Sequence, residues 1–327
     1  MWSSVRVNDA GRHTLFATLT ACVVAIALLI RPILTMDTGL WGPADPWNNG
    51  DFLGAQWLFW AAGQPFDATQ HLHWPWGEGD LISAFPNPFD ALLLGPLLQD
   101  VPTHLWWNAM MLAHHLLNVI GTVLLTRAAG ARPVHSAMAG AIVAATPLML
   151  HEHAMGHTLT AAVWPGLLGL RALLLGRGVR AGLWIGIQGL AYLYTGVFVG
   201  LVALCVLPRL SLLAALIPMA PYLIVLAPQL ELATAVPPPD GFTSLPLNAL
   251  WAASSQPQLQ LHPFWVLAGL SPFMGNRHTR RLRLRMLGCA VVLLGLAMGT
   301  QILWARGTAP LVGSPTAWLL DLAPVKR

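Results

Sequence analysis

Apolar residues along this chain come in runs of about 17–25, the length that crosses a bilayer as a helix. Polar residues gather between the runs instead of alternating within them. No stretch sustains the period-two alternation of a half-buried strand. Backbone groups in lipid must be satisfied within their own segment, so these runs predict helices. The expected spans are 15–34, 104–126, 134–150, 158–175, 181–193, 194–208, 211–228, 263–275 and 287–304. The expected fold class is an all-α integral membrane protein with about nine helical segments, forming a single membrane domain over 1–327.

Composition agrees with the pattern. The chain is 56% hydrophobic and 9% charged, against about 25% charged in soluble domains. Such a surface could not be covered with polar groups in water. The net charge of +4 comes from arginines scattered in short loops. It offers no basic surface for nucleic acid. Cys22, Cys205 and Cys289 each sit inside an apolar run, as small core residues do. The first apolar run is too long for a signal-peptide core and lacks a small-x-small cleavage site, so it predicts an uncleaved membrane helix.

Arginine placement sets the expected orientation. Arg6 and Arg12 precede the first span, which puts the N-terminus in the cytoplasm. No Lys or Arg lies between Arg31 and Arg127, and that interval holds eight of the thirteen acidic residues. The loop 35–103 is therefore expected outside the cytoplasmic membrane, as are 151–157 and the loop 229–262. Residues 305–327 form a C-terminal tail. The stretch 181–208 decides the rest of the topology. Read as one helix, it exports Arg209 and the cluster from Arg277 to Arg285. Read as two short helices turning near Tyr192–Gly196, it keeps them inside. The second reading is preferred, because short broken helices are tolerated where they are buried in protein.

The first loop carries structure of its own. Asp51–Ala62 sets Phe52, Trp57, Phe59 and Trp60 among small residues, the pattern of a helix lying at the membrane surface. Pro88–Leu98 is a second short apolar piece. Eight of the fifteen tryptophans fall between Trp41 and Trp107. They form either an aromatic belt at the interface or the lining of a sugar or lipid groove.

A set of short patterns in one order then carries a resemblance. Gly50-Asp51 precedes the aromatic helix, and Trp74-Pro75-Trp76-Gly77-Glu78 follows. Pro88-Phe89-Asp90-Ala91-Leu92, Gly95-Pro96-Leu97 and Asn108 come next. After them stand His153, Gly156-His157, Trp164-Pro165 and Tyr192-Leu193-Tyr194-Thr195-Gly196. Over residues 15–210 this order resembles bacterial membrane proteins of the GT-C glycosyltransferase superfamily. The resemblance implies a GT-C-like fold, with interfacial helices in the long external loop. It implies transfer of a sugar from a polyprenyl-phosphate carrier to an acceptor at the outer face. The chain departs from the group in its short C-terminus. It also departs in its loop carboxylates, since Asp45 and Asp51 are separated where the superfamily often has two adjacent acids. The short C-terminus favours an alternative, a non-catalytic GT-C-like scaffold subunit that binds a partner in the membrane.

Inverting glycosyl transfer needs a base near the acceptor hydroxyl and donors for the leaving phosphate. In the superfamily the base lies in the first external loop, which implies Asp51 first, then Asp45, then Asp37. A helix N-cap is the competing role for Asp51, and the two are compatible. Arg31, near the outer end of the first span, either contacts a lipid phosphate or pairs with an acid such as Asp37. His71, His73 and Tyr194 are further substrate-binding candidates. His153 and His157, spaced to share a helix face, cluster with His151 and Glu152. A phosphate-contacting or interfacial role is favoured there over a divalent metal site. The order is not that of a zinc protease, and no cofactor is required by the sequence. His114 and His115 fall inside a span, facing other helices. The scarcity of ionisable residues in mid-span argues against an ion-coupled transporter.

Overall fold

The computed structural model describes residues 2–34, 89–90, 100–146, 149–150, 162–206, 210–221 and 223–224, with 284, 288, 301–303 and 310–313. The chain divides into two compact units, one of residues 1–200 and 209–225, the other of 201–208 and 226–327. In the first unit the described elements are α1 (Trp2–Leu28), α2 (Ile30–Leu34), α3 (Thr103–Ala128) and α4 (Pro133–Ala144). They continue as α5 (Trp164–Leu174), α6 (Gly178–Ala191), α7 (Leu193–Val206) and α8 (Leu210–Pro221), which opens as a 3-10 turn over Leu210–Ala215. In α7, the residues after Gly200 belong to the second unit. That unit also contains the short strands β1 (Gln301–Leu303) and β2 (Pro310–Gly313). They pair antiparallel, with Ile302 opposite Val312 and a register shift after Ile302. The end of the span expected over 287–304 is thus strand. The span expected over 263–275 lies outside the described residues.

Among the described residues, two helices are long and apolar enough to cross a membrane, through Gly11–Leu28 and His104–Ala128. The first begins earlier than its apolar run, since α1 is helical from Trp2. One face of α1 carries Ala17, Ala21 and Ala25, all at 1% exposure or less. The opposite face leaves Phe16 70% exposed and Val23 65% exposed. The alanine face meets Val119 and Val123 of α3 and Ala144 of α4 in one apolar cluster. Gly140 of α4 is the point of closest approach. A Cβ there would lie 2.9 Å from Val123 Cγ2 and 3.0 Å from Ala21 Cβ. Small residues at such crossings let helices gain dispersion contacts that side-chain bulk would prevent.

The helices alternate in direction. Arg127 near the end of α3 donates from Nε to Thr14 Oγ1 at 3.2 Å and from Nη1 to the Ala131 carbonyl at 2.6 Å. The middle of α1, at Thr14, is therefore beside the end of α3. Two identical caps turn the chain at this level. Gly130 (φ 89°) and Gly176 (φ 77°) follow α3 and α5 in the left-handed region. The Ala131 and Arg177 amides reach back to the Thr126 and Ala172 carbonyls. This pair of hydrogen bonds needs a residue that tolerates positive φ at the glycine position.

Tyr192 breaks the stretch 181–208 with an extended backbone, φ −162° and ψ 113°. Helix α7 then folds back along α6. Gly196 lies against the backbone of Gly189, and a Cβ at Gly200 would reach Ile185 at 3.8 Å. The structure thus has the two short helices in place of one long one. α8 runs back beside α6, with Ala215 and Pro218 against Gly186 and Met219 against Gly189. A Cβ at Gly186 would collide with the Ala215 carbonyl and the Pro218 ring. Gly186→Ala is expected to cost about 1–3 kcal/mol, the scale of overpacking a close-packed contact. Gly200→Ala should be nearly neutral by comparison. Thermal unfolding of the two variants in one detergent checks this order.

Candidate functional site

The most polar part of the described interior centres on α3. Asn108, His114, His115, Asn118 and Thr122 are each at most 7% exposed. His114 lies eleven residues into α3, a rise of about 16 Å. At that level α5 begins and α6 ends, because Gly166 contacts Gln188. Helices that start and stop part-way leave polar backbone ends in the interior, and each end needs a partner.

Two buried amides supply those partners. Asn118 Oδ1 accepts the Val163 N–H at 3.1 Å. Gln188 Oε1 accepts the Gly166 N–H at 2.9 Å, while its Nε2 donates to the Ala162 carbonyl at 2.8 Å. Pro165 stands in the first turn of α5, where its missing N–H costs nothing. The entry to α5 is thereby held from α3 on one side and α6 on the other. Asn118 Nδ2 also lies 3.5 Å from Met149 Sδ.

This clamp fixes Trp164. Its Nε1–H donates to His114 Nδ1 at 3.1 Å. The other ring nitrogen, Nε2, lies 2.9 Å from Asp90 Oδ2. An indole can only donate. His114 Nδ1 is therefore the acceptor, and the ring proton sits on Nε2, pointed at the Asp90 carboxylate. The hydrogen-bond partners select one imidazole tautomer. Asp90 and His114 are almost fully enclosed, at 2% and 4% exposure. Aromatic rings seal the site. Trp164 meets Phe89 edge-on at 6.2 Å between centroids and Trp184 at 5.7 Å, both within the range of favourable ring pairs.

The arrangement holds an acidic residue of the first long loop between α3 and α5. It is a hydrogen-bonded line from indole to imidazole to carboxylate. No group of three or more metal-ligating side chains occurs among the described residues.

The residues singled out from sequence meet the structure unevenly. Asp51, Asp45, Asp37, His71, His73, His153 and His157 lie outside the described residues. Arg31 falls within α2 and Tyr194 in the first turn of α7, with their side chains outside the description. Asp90, His114 and Trp164 were present in the patterns or spans, but sequence reasoning assigned them no role. Their signal was available: an aspartate beside an aromatic in an apolar piece, and a histidine in mid-span. Intramembrane ionisable residues are functional candidates by default, and the pairing of this one with Asp90 could not be read along the chain. No family model, no curated protein and no solved structure matches this chain.

Proposed function

We propose that this is a multi-pass protein of the cytoplasmic membrane that transfers a sugar from a polyprenyl-phosphate carrier to an acceptor at the outer face. The observation that carries the reading is the entry of the acidic first loop into the helical interior at Phe89-Asp90. A loop that docks through a buried carboxylate is part of a site, whereas a linker has no need of one. The ordered patterns that resemble the GT-C superfamily run through this same loop. Arg127, Arg132 and Arg177 lie at or beside the two glycine caps, and Arg12 is two residues from Thr14 in α1, which contacts Arg127; this clustering supports a cytoplasmic location for that end. In this reading Asp51 is the base, with Asp45 as its neighbour. Arg31, His71, His73, His153, His157 and Tyr194 contact the lipid phosphate or sugar.

A specific observation favours the second reading, a non-catalytic scaffold subunit. The indole–imidazole–carboxylate line and the two amide clamps all engage protein groups. Substitution at Asp51 separates the readings. Asp51→Asn preserves a capping side chain, so stability should change little under either. Transfer from a polyprenyl-phosphate sugar should fall about 10²-fold or more if Asp51 is the base. Full transfer by the Asn variant would remove Asp51 from the mechanism. A wild-type chain with no transfer, but with co-purification of a membrane partner, would favour the scaffold.

A further inference from the structure

We infer that the paired turns after α3 and α5 form one docking surface for the headgroups of anionic phospholipids, with Arg132, Arg177 and Arg180 as the phosphate-binding side chains. The inference rests on the reading of the chain as a multi-pass membrane protein and is independent of sugar transfer.

The surface begins as a repeated four-residue pattern. Arg132-Pro133-Val134-His135 leads into α4, and Arg177-Gly178-Val179-Arg180 leads into α6. Each sets two basic residues around one valine, with the first arginine at the N-cap of its helix. All four basic side chains are exposed. Val134 and Val179 between them are 67% and 58% exposed. The two turns stand at one level. Helices α3 and α5 run in the same direction, since His114 meets Trp164 and, farther along both, Gly121 meets Leu167. Gly130 is nine positions past Gly121, and Gly176 is nine past Leu167. Each interval is a rise of about 13 Å.

Charge is segregated along this axis. Among the described side chains, Asp90 lies at the level of His114 and Asp100 precedes α3, while every arginine lies at or toward the opposite end. Asp9 precedes Arg12 by three positions on α1, so the surface is drawn from the two turns alone. A cationic surface selects an anionic occupant, and the exposed valines specify its kind. The guanidinium fork matches phosphate oxygens, and an apolar side chain beside it gains by entering a hydrocarbon layer. An anionic phospholipid supplies the phosphate and the acyl chain together. Met138 at 55% exposure and Leu175 at 44% extend the apolar part of both turns. Nucleic acid and acidic peptides supply the charge without the acyl layer.

The test reconstitutes the full chain in phosphatidylcholine vesicles with a trace of spin-labelled phosphatidylglycerol or spin-labelled phosphatidylcholine. Electron spin resonance reads the share of each label immobilised by the protein. That share reports membrane embedding, and the ratio between the labels reports the surface. The wild type is expected to prefer phosphatidylglycerol by about 3-fold or more at low salt. Arg132→Gln, Arg177→Gln and Arg180→Gln combined should bring the ratio close to one. The same three positions changed to Lys should keep most of the preference, since lysine still binds phosphate as a point charge. Salt at about 1 M, where charges are screened within about 3 Å, should remove it. Equal immobilisation of both labels by the wild type would overturn the surface and leave the membrane reading intact. No immobilised lipid of either kind would overturn both. A preference that survives the Gln changes or the salt would also overturn the surface, as would a Lys variant no better than the Gln variant.

Discussion

His114→Ala is expected to lower stability by about 3 kcal/mol or more, among the largest effects of any single substitution in the described interior. The side chain makes two buried hydrogen bonds, to Asp90 at 2.9 Å and from Trp164 at 3.1 Å. A hydrogen bond to a charged group contributes about 1.5–3 kcal/mol, and a buried donor left without its acceptor costs about 1–3 kcal/mol. The cavity left by the ring adds to both. Asp90→Asn should cost about 1 kcal/mol, because the amide carbonyl still accepts the Nε2–H. The measurement is reversible unfolding of wild type, His114→Ala and Asp90→Asn under one set of conditions. A loss below about 1 kcal/mol in His114→Ala would mean that Asp90 and Trp164 find other partners, and the site would lose its central residue.

Gln188→Leu is the second large effect, at about 2–5 kcal/mol. Leucine fits the volume, so packing changes little. What is lost is the pair of hydrogen bonds to the Gly166 N–H and the Ala162 carbonyl. Both groups are then left in an interior where Gln188 is itself 0% exposed. Each unsatisfied buried group costs about 1–3 kcal/mol. Asn118→Leu should cost less, since it frees the Val163 N–H and otherwise loses a weak contact to the Met149 sulfur. Hydrogen exchange gives the local readout. The Gly166 amide should exchange faster by about 10-fold or more in Gln188→Leu, a change of about 1.4 kcal/mol in its opening free energy. Protection of Gly166 equal to wild type would show that the entry to α5 is held by something other than this clamp.

These two expectations concern residues that sequence reasoning passed over, and the reason is physical. A buried glutamine in an apolar run has no distinguishing pattern. Its role depends on which backbone ends lie opposite, and those ends belong to a helix 22 positions away. Asp90 and His114 are separated by 24 positions and His114 and Trp164 by 50. The histidine was legible as an ionisable group within a span, but its partners were not. By contrast, the break at Tyr192 was legible, because the arginine bias rejects a single long helix through 181–208 and the tyrosine-glycine cluster offers the turn.

The sequence by itself determined the helical character of the described first unit, the approximate limits of α3 and α6, and the reversal between α6 and α7. Apolar run length and arginine placement are local quantities, and each acts on its own segment. Only the tertiary structure decided that α1 begins at Trp2, that residues 301–303 pair as strand, and that Asp90 meets His114. It also decided which imidazole nitrogen carries the proton, since that choice follows from an indole donor on a different helix. Polar groups in an apolar interior must find partners wherever the fold supplies them, and that requirement selects contacts by position in space.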